Sequence, residues 1–284
     1  MHFKTSLATL IFLVAITTAA QSQDRYRFKI GDEFTVTSEI KQEIEQTMFG
    51  QTMETIQNIT TVDKYEVVEA SNNEYLLKTT GLSRSIYTET GGGSVSFDSN
   101  KEGDEHLAFR ALTNKSFYVR INQYGRFLGF EGMDAFDAAV KADLVGTDME
   151  GQGDELLSSF DEETLGVAVD GQFYIYPESG KSWSRKATMK VNQLPVSVSF
   201  DFERTGKHEI SAAGPMSLSG DFEVMGQMMS ADIEGIQNTV FTLDKKTGLP
   251  LNINTLQEMA GDLNVSDLSV PMSLKTIVKV TITK

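Results

Sequence analysis

The triplet Gly180-Lys181-Ser182 is where phosphate chemistry would first be sought, because it is the tail of the glycine-rich loop that cradles nucleotides. The complete loop needs a glycine five residues before Gly180, where the chain has Ile175, and a helix after Ser182. From Trp183 onward the residues instead alternate like a strand. The triplet therefore reads as a polar turn leading into a strand. A second candidate is the acidic run 148–155. Asp148, Glu150, Gln152, Gly153 and Asp154 fall at positions 1, 3, 5, 6 and 7 of a calcium loop, but position 12, which should be a bidentate Glu, is Ser159. A calcium site and a solvated acidic linker both fit, and the missing Glu favours the linker.

His106 and His208 stand alone in polar stretches, and the chain has no cysteine. Neither a nucleophile–base dyad nor a transition-metal site is indicated, and no disulfide can form. With 40 Asp and Glu, pairs suited to glycoside hydrolysis arise by chance, so their abundance argues nothing. Methionine is the remaining signal: there are twelve, with Met225, Met228 and Met229 bunched. Flexible thioethers fill cores and also line adaptable apolar pockets.

The elements that must carry these residues are mostly strands. Lys115–Gly132 reads as a hairpin, with Phe117, Val119 and Ile121 alternating with polar residues, Asn122 opening the turn and Gly125 closing it. Asn238–Asn254 repeats the pattern around Asp244 and Gly248. Phe34, Val36, Ile40, Ile44 and Met48 share one face of a long strand that turns at Phe49-Gly50-Gln51. Further strands are expected over 64–70, 75–87 and 94–97, after a short lead-in at 24–31. Met133, Phe136, Val140 and Leu144 recur at spacings of three and four, which is helical. A second helix is expected over 154–165, with a return to strand at Val167–Ile175. Later strands carry Trp183, Arg185, Ala187, Met189 and Val191 on one face, and Val196, Val198, Phe200 and Phe202 on another. The last strand, with Met272, Leu274, Val278, Val280 and Ile282 inward, ties the C-terminal residues into the sheet. One apolar and one polar face per strand marks an antiparallel sheet covered on one side.

The first residues, MHFKTSLATLIFLVAITTAAQSQ, place a lysine before a short apolar run and small residues after it, as in a secretory signal peptide. The run is shorter than the roughly 20 apolar residues of a membrane span. Cleavage would leave about 260 residues with no second long apolar stretch. Loss of Lys4 moves the formal charge from −15 to about −16. Such acidity disfavours nucleic acid as a partner.

The order of these pieces resembles an uncharacterised family of exported bacterial proteins known as a domain of unknown function. The residues that carry the likeness are Gly31-Asp32-Glu33-Phe34, Met48-Phe49-Gly50-Gln51 and Val119–Gly125. Pro177 with Gly180-Lys181-Ser182-Trp183 and Thr247-Gly248-Leu249-Pro250-Leu251 complete it. The resemblance implies the β-rich fold and export, and no activity comes with it. The late Asp-x-x-Thr-Gly-Leu-Pro-Leu hairpin is also similar to one in periplasmic lipoprotein carriers with a half-barrel sheet, an analogy at the level of fold.

The expectation is a mainly β (α+β) protein: a large curved antiparallel sheet, or sheets, from two loosely repeated halves with a central helical segment. An up-and-down β-barrel is the alternative. The divisions are a signal peptide at 1–22, a first β half at 24–132, a helical segment at 133–166 and a second β half at 167–284. Function is expected to be binding of an envelope partner or an apolar, lipid-like molecule by a soluble periplasmic or extracellular protein. A structural envelope-assembly component is the alternative, and a carboxylate-based hydrolase ranks last. No catalytic residue, metal ligand or cofactor is assigned. The apolar ligand or core face is expected at Phe117, Val119, Phe127, Phe136, Val140, Trp183, Phe200, Phe202 and Met228.

Overall fold

A computed structural model describes residues 25–71, 73–157, 162–177, 182–191, 194–224, 227–265 and 268–284. Among these residues, twelve strands form one antiparallel sheet. The first half of the chain supplies β1 (Glu33–Met48), β2 (Gln51–Ser71), β3 (Glu74–Thr90), β4 (Gly93–Asp98), β5 (Ser116–Asn122) and β6 (Phe127–Glu131). The second supplies β7 (Ser182–Val191), β8 (Leu194–Gly206), β9 (Glu209–Val224), β10 (Gln227–Leu243), β11 (Pro250–Val265) and β12 (Leu268–Thr283). Their order across the sheet is β6-β5-β3-β2-β1-β12-β11-β10-β9-β8-β7, with β4 alongside β3. The first and last long strands thus pair at the centre, from Thr35↔Thr283 to Gln46↔Met272, and each half spreads outward from that seam. The outermost strands of this path, β6 and β7, are not paired with each other. The sheet is open, so the barrel alternative is not the one adopted.

Tight local chemistry produces this meander. Phe49 and Gly50, both at positive φ, make the two-residue turn between β1 and β2 whose twist matches that of the strands. Asn122 accepts from the Tyr124 and Arg126 amides through Oδ1, and Gly125 N–H closes the turn on the Asn122 carbonyl at 2.9 Å. Gly125 is obligatory: at φ +90° a Cβ would lie 1.8 Å from the Phe173 carbonyl oxygen. The strand expected over 64–70 is the second part of one continuous strand, β2, which begins at Gln51 and has irregularities in its pairing near Asp63 and Val67.

α1 (Leu107–Ala111) lies between β4 and β5, and between the halves lie α2 (Met133–Leu144), α3 (Gly153–Leu157) and α4 (Glu162–Phe173). The helix at 133–144 forms as its spacing predicts, burying Phe136, Val140 and Leu144. Val167–Ile175 is not a strand. Residues through Phe173 belong to α4, which buries Gly166, Val169 and Phe173 at helical spacing, so the helical segment extends beyond 166. This helix packs on both β6 and β7 and spans the gap between them. Its Gly166 lies against the Phe127 ring, where a Cβ would come within 2.8 Å, and its Asp170 accepts the Phe127 amide at 2.6 Å.

The lead-in is part of the core. Tyr26 (1 % exposed) stacks on Phe28, gives its hydroxyl to the Phe173 carbonyl at 2.8 Å, and meets Tyr176 edge-on. Its amide bonds Gln123 O of one hairpin, and the amide of Arg27 bonds Thr247 O of the other. Residues 25–28 thereby lace together the two corresponding turns of the two halves.

Candidate functional site

The cross-strand register shows which side chains share the inner face. At the helix-covered end these are aromatic and aliphatic: Phe34 opposite Tyr65, Val36 opposite Ile282, Ile253 opposite Phe241, and Phe241 opposite Ile210. Phe173 fills the middle of this cluster and is fully buried. Farther along the same strands the inner face turns polar in one straight row: Thr88, Gln57, Gln42, Thr276, Gln257 and Gln237 stand directly opposite one another across six strands. Hydrogen bonds link Gln57 to Thr88 at 3.3 Å, Gln42 to Thr276 at 3.5 Å and Gln257 to Gln237 at 3.2 Å. Burying amides is tolerable because they are paired.

Beyond the row, in the half formed by β8 to β12, the face is apolar again. Val198, Met216, Ala231, Ile233 and Met259 are buried there, and Val196, Phe200, Leu218, Phe222, Leu263, Met272 and Leu274 pack on them half-exposed. Among the described residues, none from a helix belongs to this cluster, and the helices pack instead at the other end, most closely on β3 to β7, with Phe173 reaching Phe34 on β1 and Tyr65 on β2. Curvature makes the surface concave. Gly214, Gly235 and Gly261 step diagonally across β9, β10 and β11 on the inner face, and a Cβ on any of them would lie 2.0–2.1 Å from a carbonyl oxygen of the adjoining strand. Glycines at such places let a sheet coil where side chains would hold it flat.

On β7, Trp183 stacks on Phe202 with ring centroids 5.3 Å apart, and Arg185 lies opposite Phe200. The Arg185 guanidinium sits 3.1 Å over the Tyr174 ring and donates to the Tyr176 carbonyl at 2.5 Å. Burial lowers its pKa to about 10, against the opposing pull of Tyr174 and Asp170. Among the described residues, Arg185 Nη1 and Trp183 Nε1 are buried without a hydrogen-bond partner. Two inward-aimed donors thus border the apolar surface.

The nine residues expected on one apolar face divide between two places. Phe117, Val119, Phe136 and Val140 are core at the helix-covered end, with Phe127 packed against it. Phe202 is buried in that same core, Trp183 packs on it, and Phe200 touches both clusters. Met228 is a correction: it lies opposite Glu223 on the outer face, 60 % exposed, whereas Met229 points inward. The polar row and the glycine diagonal carry no apolar signal, so alternation of hydrophobic residues could not reveal them.

The other chemical candidates resolve locally. Gly180 and Lys181 lie outside the described residues, as does Ser159, and Ser182 begins β7. From Glu150 onward the acidic run is helical: Glu150 accepts the Gly146 amide at 3.0 Å and Asp154 pairs with Lys141 at 2.5 Å. His106 is buried, its Nδ1 accepting the Asp98 amide at 3.4 Å. No described helix is long and apolar enough to cross a membrane.

These features agree with the family assignment. Residues 72–250 match the sequence profile of the family of unknown function DUF6263, and the chain belongs to that family. No functionally curated protein is similar to it in sequence. Among solved structures, the fold is similar to part of lipovitellin, in a structure describing lipid–protein interactions: TM-score 0.51, 8 % identity, covering 91 % of this chain and 26 % of that one. The chain thus spans about a quarter of that protein's length. An outer membrane channel from Pseudomonas putida F1 aligns over 92 % of this chain and 98 % of its own at TM-score 0.34 and 8 % identity, too low to bear on the fold.

Proposed function

We propose that this is an exported, non-catalytic protein that holds a lipid-like molecule on the inner face of its sheet, beyond the glutamine–threonine row. The observation that carries this reading is the uncapped apolar surface of β8 to β12: twelve apolar side chains on one concave face with no described helix among them. Met216, Met259 and Met272 belong to it, and thioethers can swing aside to admit a chain. Arg185 and Trp183 offer donors where the polar head of an amphiphile would end. The likeness to lipovitellin, a protein whose structure describes lipid–protein interactions, supports the reading only through the fold.

The test is native mass spectrometry of the protein purified from its own envelope, followed by displacement of a fluorescent fatty acid. A bound lipid mass is expected. Met229→Glu, which places a charge on the inner face, should weaken binding about tenfold or more (about 1.4 kcal/mol or more). Met228→Glu, on the outer face one residue away, should leave it unchanged. Equal binding by both variants, or no lipid in either measurement, would overturn the reading. The competing reading, an envelope-assembly component without a small ligand, is favoured by the burial of Ile233 (2 % exposed) within its own sheet. It expects a stoichiometric protein partner and no lipid mass.

A further inference from the structure

At the helix-covered end, away from the apolar surface, the electrostatics of the chain reverse. The protein has a formal net charge of −15, yet five of its 25 Lys and Arg line one cavity of about 260 Å³. They come from three distant segments: Arg25 and Arg27 from the lacing segment, Arg204 from the end of β8 with Lys207 and His208 in the turn that follows it, and Lys245 from the β10–β11 turn. Like charges brought together this way repel, and repulsion is tolerated where an anion relieves it.

The acid in the lining, Asp244, does not neutralise it. Its Oδ1 already takes the Lys284 ammonium at 2.9 Å and the amides of Thr247 and Lys246 at 2.7 and 3.0 Å. Burial alone would raise its carboxyl pKa, but these bonds hold it well below the usual range. The positive crowding registers on His208, whose imidazole is held below its ordinary pKa by desolvation and then by Lys245, Lys207 and Arg204. The floor is fixed: the Tyr176 hydroxyl donates to the Gly248 carbonyl at 2.5 Å, and Gly248 sits at φ +77° with no room for a Cβ between that hydroxyl and Arg25 O.

We propose that this cavity is a binding site for a phosphoryl group carried on a small polar substituent. Arginine forks and lysine point charges together match a multiply charged tetrahedral anion. The volume lies just below the 300 Å³ or so at which drug-sized sites begin, which suits a headgroup. Screening over about 8 Å at physiological salt lets this local charge dominate the acidic remainder of the surface. The site does not depend on the apolar surface being occupied.

Titration calorimetry of the full mature chain with glycerol 3-phosphate, and co-sedimentation with phosphatidylglycerol against phosphatidylcholine vesicles, separate a free ligand from a lipid headgroup. Lys207 and Lys245 are exposed, so Lys207→Glu/Lys245→Glu should fold with an unchanged melting profile. Lys186→Glu/Lys275→Glu, equally exposed on other strands, carries the same charge change as a control. Glycerol 3-phosphate binding, or phosphatidylglycerol-selective sedimentation alone, is expected to fall at least tenfold in the first variant and to survive in the second. Loss of equal size in both variants would mean bulk charge rather than a site, and absence of binding to either probe would remove the proposal.

Discussion

At the helix-covered end of the inner face, Phe173 is enclosed by rings from three other segments, Tyr26, Phe34 and Tyr65, which meet it edge-on at 5.6–6.4 Å. At the other end of the same sheet, the described residues that pack around Ile233 and Met259 all come from strands. Among the described residues, one end has a second layer of helix and the other does not. Both ends use the same alternation, the same hairpins and the same kind of inner side chain, so the difference lies in what covers them. The polar row marks the border between the two regimes.

The largest way to break the comparison is at the covered end's tightest point. Gly125→Val puts a branched side chain at positive φ into the space held by the Phe173 carbonyl, and should cost about 4 kcal/mol or more. Urea unfolding should show loss of a cooperative transition or a greatly lowered midpoint. A change under about 1 kcal/mol would mean that the turn and α4 do not meet as described.

A matched pair sharpens it. Ile210 at the covered end and Ile233 at the open end are 0 % and 2 % exposed. Truncating a buried Ile to Ala costs about 2–5 kcal/mol, more where surroundings cannot collapse. Ile210→Ala is expected near the top of that range and Ile233→Ala near the bottom, because only the first leaves a cavity roofed on both sides. Equal costs by urea denaturation would erase the distinction between the two ends.

What the sequence made legible was whatever is decided within a few residues. The turns at Asn122–Gly125 and Asp244–Gly248, the helix at 133–144 and the inward set on β1 are all local patterns, and each matches the structure. Residues 167–175 misled because Val167, Val169, Phe173 and Ile175 fall on odd positions and mimic a strand, while of the three residues that α4 buries, Gly166, Val169 and Phe173, the first carries no hydrophobic signal. Met228 misled because its phase depends on the hairpin before it, and a slip of one residue exchanges the faces. The lacing by Tyr26 and the polar row depend on partners far away in the chain, and nothing near them announces it.

Acidity probes how α4 seals the covered end. Burial raises the Asp170 carboxyl pKa, opposed by the Phe127 amide and by Arg185 and Arg126. The folded chain therefore binds this proton before the unfolded chain does, and stability falls as pH rises through the interval between the unfolded and folded values. Read downward, the protein gains stability from this group as the pH drops toward its unfolded pKa near 4. Asp170→Asn keeps an acceptor for the Phe127 amide and should flatten that part of the stability–pH curve. An unchanged slope in thermal melts taken from pH 6 to pH 4 would show that Asp170 is not buried against β6.

The border itself gives the smallest effect and the most specific one. Gln237 is 3 % exposed and accepts the Gln257 amide. Gln237→Met keeps the volume but strands the Gln257 donor, at a cost of about 1 kcal/mol, because a buried group without its partner bears its full desolvation. Gln237→Met/Gln257→Met removes both halves of the pair and should return close to the parent stability. It would also join the apolar surfaces on either side of the row along β10 and β11. If the row only fills space, the two single substitutions will add in the double variant. If it sets where a ligand's polar head stops, the double variant should bind a fluorescent fatty acid with its affinity or probe emission altered while its urea midpoint stays near that of the parent, a combination that packing alone does not produce.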